Sequence, residues 1–241
     1  KILRGIVKIL FHFFSVECYK PLPVFLFFLN FAILTYFPAL GFPLTEPRNY
    51  FFANLLYMTV NCAVMLLIFR RTLWQSLREF EGKMLLSVLI GFGMCYGANL
   101  VLTTAYTVLD IMPENYNQEA VNSLLGGYPL AMTLCTVVLA PLAEECLFRG
   151  VLFAPLARRC LPAAYALSMF LFAGMHVFQF LGSMTAANTI LCLSLYLPAS
   201  FSLCWVYQKT GNIWACIFLH MFINFQSVLA SLLRSLMQAF L

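Results

Sequence analysis

Long apolar runs separated by short polar joints dominate this sequence, and they leave few folds open to it. Charge-free stretches cover residues 21–42, 51–69, 84–109 and 183–207, each close to or above the roughly 20 residues an α-helix needs to cross bilayer hydrocarbon. Three further apolar runs, from Leu125 to Leu156, from Leu161 to Leu181 and from Asn212 onward, carry ionisable residues as well. The expected architecture is an all-α polytopic transmembrane bundle of about seven spans. Composition agrees: 63% of residues are hydrophobic, 10% are charged and the mean hydropathy is +0.89. One membrane domain then fills residues 1–241, with lipid as its main solvent and no room for a soluble domain.

Arg4, Lys8 and His12 recur every four residues on an otherwise apolar segment, which predicts an amphipathic helix over residues 1–19 lying at the membrane interface. Those polar groups within Ile2 to Val16, with no small-residue cleavage site after them, argue against a signal peptide. Residues 20–110 supply the N-terminal spans. Basic residues near span ends set orientation. Starting with Lys1, Arg4, Lys8 and Lys20 inside, the alternate joints hold Arg70, Arg71, Arg78 and Lys83, then Arg158 and Arg159, then Lys209. The opposite joints hold Arg48 with Glu46, Asp110, Glu114 and Glu119. The expected topology is N-terminus cytoplasmic and C-terminus outside, in a bacterial cytoplasmic membrane or else the endoplasmic reticulum. The net charge of +5 belongs to this sidedness, and nucleic acid is not an expected partner. The nine cysteines are scattered without a CxxC pair and read as small buried apolar residues. Gly93 and Gly97 have the GxxxG spacing that suits close helix contact. Pro129, Pro141, Pro155 and Pro198 are expected to kink or interrupt their helices.

Glu144, Glu145, Arg149, His176 and His220 are ionisable residues that no shift of span boundaries brings easily to a membrane surface. Each charged type costs about 2.5–3.5 kcal/mol in hydrocarbon, so the group calls for a common explanation. If the fifth and sixth runs form an antiparallel hairpin turning near Cys160, Glu144 lies sixteen residues before the turn and His176 sixteen after it. Equal path lengths give equal depth. His220 and Asn224, eleven and fifteen residues beyond Lys209, lie about 16–22 Å deep from the same side at 1.5 Å per residue. Glu145 with Arg149, Phe172 with His176 and His220 with Asn224 are i,i+4 pairs, each on one helix face. A carboxylate and imidazoles in one layer, facing a cavity open to the cytoplasm, suit water-mediated attack on a peptide carbonyl, with an imidazole and an amide donating to the oxyanion.

Glu144-Glu145-Cys-Leu-Phe-Arg149 matches EExxxR, Phe172 to His176 matches FxxxH, and His220 to Asn224 matches HxxxN. In this order the three motifs resemble the CPBP family of intramembrane glutamic endopeptidases, which includes type II CAAX prenyl endopeptidases, bacteriocin-processing proteins and Abi-type proteins. The resemblance covers roughly residues 115–230, the expected protease core. It implies that Glu144 is the general base on water with His176 assisting, that His220 and Asn224 form the oxyanion hole, and that Glu145 and Arg149 orient and support. It also implies metal-independent hydrolysis with no cofactor, acting on a peptide or protein substrate at the cytoplasmic membrane face. Some members of the family are proposed to act without proteolysis, as scaffolds or in bacteriocin self-immunity.

Plainer readings stand beside these. Glu145 with Arg149 makes sense as a structural ion pair, Phe172 as a packing residue shaping the site, and His12 as part of the interfacial stripe outside it. One carboxylate with two histidines is a plausible zinc set, although HExxH spacing is missing and Asn224 suits an oxyanion better than a metal. A transporter can use intramembrane charges as a proton or ligand site, but no inverted repeat is visible.

Overall fold

The structure is a computed structural model that describes residues 38–239. The interfacial stripe of Arg4, Lys8 and His12, together with Cys18 and most of the first apolar run at residues 21–42, lies outside the described residues. The six remaining runs each form a helix long and apolar enough to cross a membrane. They are α1 (Pro47–Arg78), α2 (Met84–Val108), α4 (Pro129–Ala157), α5 (Leu161–Ser183), α6 (Ala186–Thr210) and α7 (Ile213–Ala239). Between α2 and α4 lies a short helix, α3 (Tyr116–Gly127), started by the Asn115 side chain accepting the Gln118 N–H. The protein is thus an all-helical membrane bundle.

Antiparallel succession fixes two ends. At one, the α1–α2, α4–α5 and α6–α7 joints collect Arg70, Arg71, Arg78, Lys83, Arg158, Arg159 and Lys209. Gly211, at φ +62, makes the left-handed stop that ends α6 there. The joint is laced tightly: Asn212 Nδ2 donates to the Ser76 carbonyl at 2.6 Å, the Ile213 N–H to Ser76 Oγ at 3.0 Å, and Trp214 Nε1 to the Leu73 carbonyl at 2.8 Å. The other end carries α3, the start of α1 and the end of α7.

The core runs through α1, α2, α4, α5, α6 and α7 without a break. Val88 of α2 packs with Phe148, Phe172, Leu203, Val206 and Leu219, and Cys62 and Met65 of α1 pack with Ala143, Cys146 and Ile217. The close approach comes at a glycine other than those in the GxxxG pair. A Cβ on Gly91 would meet Val206 at 2.7 Å and Leu219 at 2.9 Å, whereas nothing lies within 4 Å of Gly93 or Gly97. The spacing argument therefore chose the wrong face of α2, because which glycine is needed depends on which face meets α6 and α7. Gly91→Ala is expected to lower stability in detergent by about 1–3 kcal/mol through overpacking, with Gly93→Ala near neutral. Equal melting of the two variants would contradict this packing.

Helix α4 departs from a regular α-helix twice. Cys135–Leu139 and Cys146–Phe153 are π-helical, with the Ala140 N–H donating to the Cys135 carbonyl and the Ala154 N–H to the Arg149 carbonyl. Each stretch ends two residues before a proline, Pro141 or Pro155. A proline ring presses on the carbonyl four residues back and offers no N–H, so widening the preceding turn relieves the clash.

Candidate active site

Every residue expected at the site falls in the described bundle, and the structure divides them into two tiers. The deeper tier is a buried ion-pair network, in which Glu145 Oε2 and Arg149 Nε have no hydrogen-bond partner among the described residues. Arg149 Nη1 donates to Glu145 Oε1 at 3.0 Å and Nη2 to the Ser200 carbonyl at 3.2 Å, with both charged side chains fully buried. The guanidinium lies over the Phe172 ring at 5.3 Å and the Phe148 ring at 5.9 Å. A charge pair away from water depends on such added contacts to offset its desolvation.

Glu145 has a second partner that helix periodicity could not reveal. Its Oε1 also accepts from His220 Nδ1 at 2.7 Å, across 75 positions of sequence. A carboxylate only accepts, so the ring proton on this side belongs to Nδ1. The opposite nitrogen, Nε2, lies 3.8 Å from Glu144 Oε2. Glu145 is therefore both the counter-ion of Arg149 and the positioning acceptor for His220. His220 Nε2 thus lies near Glu144, and His176, expected to assist Glu144, lines the same cavity as that carboxylate.

The upper tier lines a cavity of about 170 Å³. Met132, Thr136, Ala140 and Glu144 form a stripe of α4 at four-residue steps, and the stripe ends at Glu144. Tyr50, Asn54 and Tyr57 of α1, His176 and Gln179 of α5, Tyr196 of α6, and Asn224 and Ser227 of α7 complete the wall, with Asn117 and Gln118 of α3 above. Glu144 is 16% exposed where its neighbour Glu145 is fully buried, so successive carboxylates face different surroundings. Glu144 Oε2 has no hydrogen-bond partner among the described residues.

His176 is fixed by Nδ1 against the Phe172 carbonyl at 2.8 Å, and its ring stacks on Tyr196 with centroids 4.4 Å apart. Phe172 packs against both imidazoles, at 4.9 Å and 5.6 Å. Asn224 Nδ2 donates to the Thr136 carbonyl at 2.8 Å, a carbonyl in the π-helical turn whose donor Pro141 cannot replace. An amide nitrogen has two N–H groups, so one remains for the cavity. Glu144, His176 and Asn224 share the cavity and His220 adjoins Glu144, while Glu145, Arg149 and Phe172 stand outside it.

Tyr196 and Asn117 were missed by sequence reasoning. Asn117 Nδ2 donates to the Tyr196 hydroxyl at 3.2 Å, and that hydroxyl donates to Asn115 Oδ1 at 3.0 Å, which anchors the ring stacked on His176. The only signal for Tyr196 was a polar aromatic in the middle of a charge-free span. No group of three or more His, Cys, Asp or Glu side chains is arranged to hold a metal ion among the described residues.

Residues 126–226 match the family model for type II CAAX prenyl endopeptidase Rce1-like proteins. Over that stretch, which is under half of its length, the chain is similar to the CAAX protease family. The matched region holds all seven residues of the site. YdiL of Bacillus subtilis (strain 168), named as a candidate membrane peptidase, is 27% identical over 171 residues, covering 68% of this chain. The aligned stretch spans 66%, just under two thirds, of that relative's own length. No solved structure matches the chain. The three motifs are not separate signatures in this structure: EExxxR and HxxxN meet at the Glu145–His220 bond, and FxxxH supplies the ring between the two histidines.

Proposed function

We propose that this chain is an intramembrane endopeptidase that hydrolyses a peptide bond of a membrane-associated protein or peptide without a metal, using Glu144 as general base, in a bacterial cytoplasmic membrane. The observation that carries the reading is the free Oε2 of Glu144 beside His220 Nε2, at the end of a polar cavity. A water held between Glu144 and a substrate carbonyl loses a proton to the carboxylate as its oxygen attacks carbon. His176 assists in holding that water. The second N–H of Asn224 and a protonated Nε2 of His220 donate to the oxyanion. Collapse breaks the C–N bond, and the proton taken by Glu144 passes to the departing amine. Phe172 and Tyr196 hold the imidazole planes, and Arg149 fixes the Glu145 carboxyl group that holds His220.

The test is cleavage of a quenched peptide library by the full chain purified in detergent, beside Glu144→Ala. Cleavage by the wild type alone, unchanged after exhaustive treatment with a strong chelator, is the expected result. Loss on chelation that zinc alone restores overturns the metal-free mechanism. Inactivity of a folded, thermally stable wild-type preparation moves the assignment to a non-proteolytic scaffold or immunity protein.

A further inference from the structure

The polar groups of α1 have no part in the ion-pair network. Tyr50, Asn54, Tyr57 and Asn61 follow one another along that helix at steps of four, three and four residues, which puts them on one face. Such a stripe is costly in a spanning helix unless it meets protein or a polar cavity. The first three line the cavity that holds Glu144, and Asn61 is buried one turn beyond Tyr57. The depth of Tyr57 follows from its neighbours. Phe51 stacks on Tyr128 at the start of α4, and Cys62 packs with Ala143, so α1 and α4 run side by side in one direction and Tyr57 lies between those two levels. That interval holds the Thr136 carbonyl to which Asn224 donates. Tyr57 is also within electrostatic reach of the Glu144 carboxylate. Its hydroxyl oxygen accepts from Asn61 Nδ2 at 3.3 Å, and its own proton has no acceptor among the described residues. Two buried oxygens on the α4 stripe of the same cavity, Thr136 Oγ1 and Glu144 Oε2, likewise have no hydrogen-bond partner there. Unpaired polar groups converging on one space mark where a polar molecule is held.

We propose that Tyr57 is a further catalytic residue, whose hydroxyl donates to the substrate carbonyl oxygen as it becomes an oxyanion, beside Asn224 and His220. The inference rests on the peptidase reading and adds to it α1, a helix that lies outside the matched residues 126–226. A hydroxyl that accepts one hydrogen bond becomes a stronger donor through its own proton, so the Asn61 amide prepares the phenol for a negative acceptor. The bond it makes strengthens as charge builds on oxygen, and it therefore acts on the transition state more than on bound substrate. No proton changes hands at Tyr57: Glu144 takes the one from water and later releases it to the amine, and the phenol keeps its own.

The test uses the full chain in detergent and the peptide that the wild type cleaves best from the quenched library. Tyr57→Phe removes one oxygen and keeps the ring. Turnover should fall about 10–100-fold, somewhat less than the usual loss of an oxyanion donor because two others remain, with KM within about threefold of wild type. A phosphinic analogue of the same peptide, which carries a tetrahedral anion at the scissile position, should bind more weakly by a similar factor. Asn61→Leu leaves Tyr57 in place and removes the amide that donates to it, so turnover should drop about threefold, and not at all in the Tyr57→Phe background. Turnover of Tyr57→Phe within about twofold of wild type, or a loss confined to KM with analogue binding unchanged, overturns the proposal and leaves the peptidase reading standing. Unchanged or raised turnover in Asn61→Leu also overturns it, a rise because Asn61 would then have been holding the phenolic proton. That variant decides alone if Tyr57→Phe does not fold. Absence of cleavage by a folded wild type overturns the peptidase reading and this proposal together.

Discussion

Glu144→Gln is expected to reduce turnover by about 10²–10⁴-fold, the range associated with removing a general base, while the purified protein melts close to wild type. The substitution keeps the shape of the side chain and removes only its ability to take a proton. Little stability should be lost, because Glu144 Oε2 has no hydrogen-bond partner among the described residues and its contact with His220 is long, at 3.8 Å. Single-turnover cleavage and a melting curve on one preparation check both halves. Retained cleavage would remove Glu144 from the chemistry, and a large drop in melting temperature would make it a structural residue instead.

The contrast between adjacent glutamates was legible in the sequence because about 100° separates successive side chains on a helix: Glu145 had to face Arg149, and Glu144 could not. The span pattern was legible for the same kind of reason, since hydrocarbon demands length and apolarity that a sequence displays directly. What stayed hidden depends on contacts between helices. Nothing local says that Glu145 Oε1 is shared by Arg149 and His220, or that Gly91 rather than the Gly93–Gly97 pair faces α6 and α7. The prolines were visible, but their consequence was not. Pro141 widens a turn and leaves the Thr136 carbonyl to Asn224, which ties the HxxxN helix to the helix carrying both glutamates.

Depth arithmetic also succeeded only halfway. Equal distances from the joint at Cys160 put Glu144 and His176 on one level, and the structure has both lining one cavity. A level, however, says nothing about what closes round the site. That is decided by bulky buried side chains on one side of it and by Asn117 and Gln118 on the other. The latter belong to α3, a segment whose polar composition reads as a mere joint between spans.

Arg149→Met is expected to be the most destabilising single change at the site, by about 3–5 kcal/mol, because it leaves the fully buried Glu145 carboxylate without its guanidinium. Removing both charges should recover much of that loss, since a buried pair replaced by apolar groups of similar size is often neutral. Stability and turnover are then expected to part company, and the second residue chosen at position 145 separates them. With Glu145→Leu in the Arg149→Met background, His220 Nδ1 loses the acceptor that holds it at 2.7 Å. The Nε2 atom is no longer fixed beside Glu144, and turnover should stay at least about tenfold below wild type. With Glu145→Gln in the same background, the amide oxygen can still accept from Nδ1, and turnover should exceed that of the leucine double variant at similar melting temperature. Equal turnover in the two double variants would show that Glu145 serves only as the strut of Arg149 and does not position His220.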